Sequence, residues 1–236
     1  MKLFSKMEPE VAKGIRRWLR TGIIGVAMVG VMLFVSAGTL AWPMGWGIVA
    51  VYALWQISMA LILWPTHPEL LAERAQRVRD AESWDMALLS VAGIAQLAKY
   101  IMAGLDYRLG WSAGISTTAQ ILALIGCVLS YALMNWAVAC NAYFTKVVRI
   151  QRDRGHTVAT GGPYRYVRHP GYVGTILFEL LSPIALGSWW ALIPGVLGAL
   201  LMVVRTAKED RFLHQELQGY AAYARNVRYR LVPGIW

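Results

Sequence analysis

Apolar residues run along this chain in blocks too long for the core of a soluble domain. A hydrocarbon layer about 30 Å thick takes about 20 helical residues to cross. Four segments meet that length: Gly22 to Ala41, Gly45 to Trp64, Met86 to Leu105 and Ala113 to Val138. A fifth apolar stretch, Gly171 to Val204, is too long for one crossing and is interrupted by Pro183, Gly187 and Pro194, with Trp189 and Trp190 at the break. It predicts a tight hairpin of two short helices. Ahead of the first block, Val11, Ile15, Trp18 and Leu19 fall at helical spacing among Lys13, Arg16, Arg17 and Arg20, which predicts a basic amphipathic helix at the membrane interface.

Composition supports a membrane protein, and charge gives it an orientation. Of 236 residues, 57% are hydrophobic and 15% charged, with mean hydropathy +0.45. A net charge of +10 would suggest nucleic acid in a soluble protein. Here the Lys and Arg sit in loops, so the partner implied is the anionic headgroups of membrane lipids and not nucleic acid. Six precede the first span, three lie between Pro65 and Asp85, six between Asn141 and Pro170 and six from Arg205 onward, against Arg108 alone on the other side. That asymmetry predicts both termini and both long loops in the cytoplasm and an even number of spans. The charged N-terminal region is too long for a signal peptide, so the first span reads as retained.

Lys99 lies inside a span, where snorkelling, pairing with another helix and a substrate contact all stay open. Cys127 and Cys140 share an apolar stretch without C-x-x-C spacing and read as reduced, packed thiols. No internal repeat divides the chain, which reads as one membrane domain.

Chemistry concentrates between Arg149 and Tyr172, where two His, three Tyr and five Arg adjoin the bilayer. Gly161, Gly162 and Pro163 break any helix there, and Pro170 biases His169 towards extended backbone while suiting the first turn of the next helix. Such backbone offers unpaired N–H and C=O groups to a polar ligand. A second cluster, Arg205, Glu209 and Asp210, continues through Leu213, Leu217, Tyr220 and Tyr223 in an amphipathic helix. Arg205 and Glu209, four residues apart, read either as a surface ion pair or as site residues. His156, His169 and Glu209 lack metal-ligand spacing, so no metal is expected. Nucleotide-binding and hydrolase signatures are absent, and the spans lack the paired ionisable residues of an ion pathway.

At these residues the sequence resembles the isoprenylcysteine carboxyl methyltransferase family. The resemblance rests on G-H-T-V at Gly155 to Val158, G-P-Y at Gly162 to Tyr164, R-H-P-G-Y-V-G at Arg168 to Gly174 and R-x-x-x-E-D at Arg205 to Asp210; Leu105 to Ser112 also looks like bacterial relatives. It implies an enzyme that transfers a methyl group from S-adenosylmethionine to a lipophilic small-molecule or prenylated acceptor, most simply at a carboxylate, in the cell (inner) membrane. By position it implies cofactor contacts at His156, Thr157, Val158, Ala159, Tyr164, His169, Pro170, Gly171, Tyr172 and Glu209, and catalytic roles for Arg205 and Glu209, with Arg205 on the substrate. Two positions depart from the pattern. Arg149 holds the slot of a cofactor-contacting Gln, with Gln151 two residues on as the other candidate, and Asp210 replaces a second Glu.

The expected fold is an all-α polytopic bundle of about six transmembrane helices: an interfacial helix over residues 1–21, four spans over 22–140, a cofactor loop over 141–170, a short hairpin over 171–204 and a cytoplasmic C-terminal helix and tail over 205–236. Phospholipid or small-lipid N-methylation, a nicotinamide-dependent membrane reductase and a non-enzymatic membrane anchor are the competing functions.

Overall fold

The structure is a computed structural model that describes residues 8–75 and 82–236. The first seven positions of the expected interfacial segment lie outside them, as do Arg77 and Arg79. The described chain is helical: α1 Pro9–Ala37, α2 Pro43–Thr66, α3 Pro68–Glu73, α4 Ser83–Leu109, α5 Thr117–Ala139, α6 Pro170–Ala185, α7 Leu192–Glu216 and α8 Tyr220–Asn226. Among the described residues, α1, α2, α4 and α5 are long and apolar enough to cross a membrane. Ile23 and Val35 on α1, Leu61 on α2, Ile94 on α4 and Leu129 on α5 face outward. An exposed apolar belt of this kind is what a bundle presents to lipid.

Two expectations are corrected here. The basic amphipathic segment is continuous with the first span, because no helix-breaking residue separates them in the 29-residue α1. Its apolar face also meets protein: Ile15 and Trp18 are buried against Met59, Leu63, Leu70 and Leu71. A Cβ on Gly14 would sit 2.5 Å from that of Ala72, so glycine sets how closely α1 and α3 cross. The hairpin is likewise asymmetric. Pro183 lies near the end of the 16-residue α6, Gly187 turns at φ +77° and the 25-residue α7 runs well past Val204.

α6 and α7 pack antiparallel, since Gly195 and Gly198 adjoin Glu179 while Arg205 and Glu209 adjoin Tyr172. α6 in turn makes the most extensive helix packing of the fold, against α5. There Gly174 lets the backbones approach: an added Cβ would lie 2.5 Å from the Ser130 carbonyl oxygen. Tyr52, Trp55, Tyr100, Tyr131 and Phe178 fill the space between α2, α4, α5 and α6. Away from the long loops, Asp106 accepts from Ser112 N (2.7 Å) and from the Ser188 hydroxyl, tying the α4–α5 turn to the α6–α7 turn.

Candidate active site

At the end of the bundle formed by the long loops, residues 141–169 wrap a cavity of about 360 Å³, within the range of small-molecule sites. Local hydrogen bonds set the loop's shape. Gln151 donates from Nε2 to the Tyr143 carbonyl (2.8 Å) and accepts from Arg154 Nη1 (2.7 Å), while Gly155, at φ +64°, reverses the chain after a 3-10 turn. His156 then stacks on Tyr143 at 4.5 Å between ring centroids. Among the described residues, no backbone–backbone hydrogen bond involves Thr157, Val158 or Ala159, so the polar groups of this segment are open to water or to a ligand. Burial, reinforced by Arg154 and Arg149, lowers the His156 pKa from 6.5 to about 4. The unfolded chain therefore takes up a proton at a pH where folded His156 does not. Loop protection in hydrogen exchange, corrected for intrinsic rates, should decline as pH falls from about 6.5 towards 4, and His156→Gln should flatten that decline.

Asp210 organises the second wall. Its carboxylate accepts from Arg168 Nε (2.7 Å) and Nη2 (3.0 Å), Arg230 Nε (2.8 Å) and the Tyr220 hydroxyl (2.9 Å), and lies 3.2 Å from His169 Nε2. One buried carboxylate thus joins the segment before α6, helices α7 and α8, and the C-terminal tail. Burial alone would raise its pKa, but hydrogen bonds from His169, Arg168 and Arg230 bring it well below the usual carboxylate range. Arg168 also donates to the Val227 and Arg228 carbonyls, and Tyr223 donates to the Tyr164 carbonyl, closing the tail over the loop.

Arg205 and Glu209 do not pair with each other. Arg205 donates from Nε to Asp85 Oδ1 (2.6 Å) and from Nη2 to Asp85 Oδ2 (3.1 Å) and the Lys146 carbonyl (2.8 Å). Its guanidinium lies over the Tyr172 ring, 5.2 Å from the centroid. Glu209 instead accepts from the Tyr172 hydroxyl. An i,i+4 spacing permits contact but does not compel it when each side chain has a better partner on another helix. Nη1 of Arg205 has no hydrogen bond among the described residues, and Arg205 lines the cavity.

Of the residues singled out in the sequence, His156, Thr157, Val158, Ala159, Tyr164, His169, Gly171, Tyr172, Arg205 and Glu209 all line this one cavity. Gln151 and Pro170 do not: Gln151 is fully buried as the brace of its loop, and Pro170 is the first residue of α6. Arg149 does line it, with Nη2 2.7 Å from Glu73. Sequence reasoning missed Asp85, which reads as an ordinary acidic residue in the first turn of α4. It also missed Glu179, a carboxylate in an apolar helix and a sign that Lys99 needs a partner.

Residues 121–215 match the model of the Isoprenylcysteine carboxyl methyltransferase (ICMT) family. Three proteins named protein-S-isoprenylcysteine O-methyltransferase are similar to the chain. The one from Dictyostelium discoideum is 26% identical over 172 residues, covering 67% of this chain and 66% of that one. The one from Xenopus laevis is 23% identical over 212 residues, covering 89% and 70%. The one from Schizosaccharomyces pombe is 33% identical over 63 residues, and there the chain spans only 27% of the relative's length. A solved structure described as the eukaryotic intramembrane Ras methyltransferase ICMT superposes with a TM-score of 0.52 at 13% identity, over 97% of this chain and 99% of that one. The fold is therefore shared at 13% sequence identity, and the stretch that contributes most of the cavity, residues 121–215, is the one that matches the isoprenylcysteine carboxyl methyltransferase family model.

Proposed function

We propose that the protein is an integral membrane methyltransferase that moves the methyl group of S-adenosylmethionine to the carboxylate of a lipophilic, prenyl-type acceptor. One observation carries this: a single cavity brings together the family's motif residues, with unpartnered backbone at Thr157 to Ala159 at its mouth and an apolar corridor between α4, α6 and α7 behind. The cofactor supplies an electrophilic methyl on a sulfonium. His156 to Ala159, Tyr164, His169, Gly171, Tyr172 and Glu209 would hold it, with aromatic faces and a carboxylate suited to a cation.

Methyl transfer to an existing carboxylate forms a C–O bond and breaks a C–S bond with no proton to remove. The site agrees with that economy. Glu209 is engaged by Tyr172 and His169 by Asp210 and Tyr220, and the lowered pKa of His156 makes its imidazole a weak proton acceptor, so none of the three is tuned to take a proton from an amine. Arg205, fixed by Asp85, presents its Nη1 edge to the acceptor carboxylate, and the protein's work is alignment and exclusion of water.

In this reading the whole chain is one membrane domain of six spans, α6 and α7 being the last pair, with termini and loops on the cytoplasmic side of the cell membrane. Binding of S-adenosylhomocysteine to detergent-solubilised protein is the test. Glu209→Ala should weaken it at least tenfold, as expected for a charge-assisted hydrogen bond. Unaltered affinity in both Glu209→Ala and His169→Ala would remove the site assignment.

A further inference from the structure

The cavity does not stop at the mouth. Tyr172, Thr175 and Glu179 line it from α6, Gly198, Met202, Arg205 and Glu209 from α7, and Leu89, Ala92, Gly93 and Gln96 from α4. These are helical i, i+3, i+4 and i+7 steps, so each helix turns one continuous face to the same corridor. At 1.5 Å per residue, the seven residues from Tyr172 to Glu179 carry the corridor about 10 Å below the mouth. Its walls are apolar or small, and Gly93 leaves open space where a side chain would stand.

The floor is different. Glu179 is 8% exposed and pairs through Oε2 with Lys99 Nζ at 2.7 Å; Lys99 itself is fully buried, over the rings of Tyr100 and Phe178. The spans therefore do hold a paired set of ionisable groups, contrary to the expectation from sequence. Gly198 makes room for the carboxylate: an added Cβ would lie 3.0 Å from Oε2. No donor among the described residues reaches Oε1. Gln96, which lines the same cavity, spends its Nε2 on Tyr100 (2.8 Å) and Tyr52, and no donor among the described residues reaches its carbonyl oxygen. Two acceptor atoms thus line the corridor about two helical turns from Tyr172, among the apolar and small side chains of α4, α6 and α7. Burying a charge in the bilayer core is costly, and a plain hydrocarbon tail would meet an unanswered acceptor there.

We propose that Glu179 and Gln96 form an intramembrane subsite that determines specificity, selecting acceptors whose apolar tail carries a hydrogen-bond donor, such as a hydroxyl, about two helical turns from the end that enters the mouth. The subsite depends on the methyltransferase reading only for the name of the ligand: what it recognises is a donor-bearing lipid tail.

Binding of medium-chain fatty acids to the full-length protein in nanodiscs, each compared with its ω-hydroxy counterpart, tests this without methyl transfer. The ω-hydroxy acid of matching length should bind about tenfold more tightly, the effect of one hydrogen bond to a charged acceptor. The double variant Lys99→Met/Glu179→Leu removes both charges together, avoiding an orphaned ion, and should lose that preference while S-adenosylhomocysteine affinity stays unchanged. Equal binding of the two acids by the unaltered protein overturns the proposal, as does a preference that survives the double variant. The unaltered protein decides alone if the double variant does not fold. Failure of S-adenosylhomocysteine to bind would count against the methyltransferase function and leave the tail preference standing.

Discussion

Asp210→Ala should destabilise the loop end of the protein by about 3–5 kcal/mol, because it strands the Arg168 and Arg230 guanidiniums together with His169 and Tyr220. Asp210 is 1% exposed, so water cannot take its place without opening the structure. Chemical denaturation in detergent should show an early transition in the C-terminal tail, followed by the residues after Gly161. S-adenosylhomocysteine affinity should fall with it, since Asp210 holds His169 directly and anchors, through Tyr220, the α8 helix whose Tyr223 donates to the Tyr164 carbonyl. Asp210→Asn keeps the shape without the charge and should recover only part of the loss.

The pH dependence has a definite sign. The folded carboxyl sits below its unfolded value of 3.8, so the stabilisation is complete above that value and is lost as pH falls below it. A protein whose loop end loosens already near neutral pH, with no contribution from His156, would contradict this account of Asp210.

The extent to which the fold could be read from sequence followed the physics of each signal. Four spans were legible because twenty apolar residues in a row have few other fates. Their ends were less so: the expected start at Ala113 moves to Thr117, where Ser116 caps α5 by accepting from Ala119 N at 3.2 Å. The N-terminal helix was legible as amphipathic, but periodicity reports only that one face is apolar. Whether lipid or α3 covers that face depends on chain folding.

The candidate site divides in the same way. Its loop announced itself through composition and motif, and those residues, Gln151 and Pro170 apart, do meet in one cavity. The partners of its charges were hidden, because Asp85 and Arg205 are 120 residues apart and Lys99 and Glu179 are 80 apart. The close spacing of Arg205 and Glu209 suggested a pair, while the fold gave each a partner on another helix. A buried guanidinium is best compensated by a carboxylate, and that preference is the one clue in the sequence that points to Asp85.

That pairing leads to the second large effect, on catalysis. Arg205→Ala should lower methyl transfer by about 10²–10³, the usual consequence of losing one well-placed charged donor at a reacting centre, while S-adenosylhomocysteine affinity changes little. Arg205→Lys should recover little of this, since an ammonium cannot span both Asp85 oxygens and the Lys146 carbonyl and still present a further donor. Asp85→Ala should be costly twice over: about 3–5 kcal/mol of stability, from a buried guanidinium left alone, and a fall in turnover because Arg205 is no longer aimed. A stability defect alone would lower turnover in any background, so the two effects are separated by a double-mutant cycle. If Asp85 acts only by positioning Arg205, removing it from the Arg205→Ala protein should reduce turnover per folded molecule hardly further. Losses that simply add in the double variant would show Asp85 acting on the reaction independently of Arg205, and the positioning role would fall.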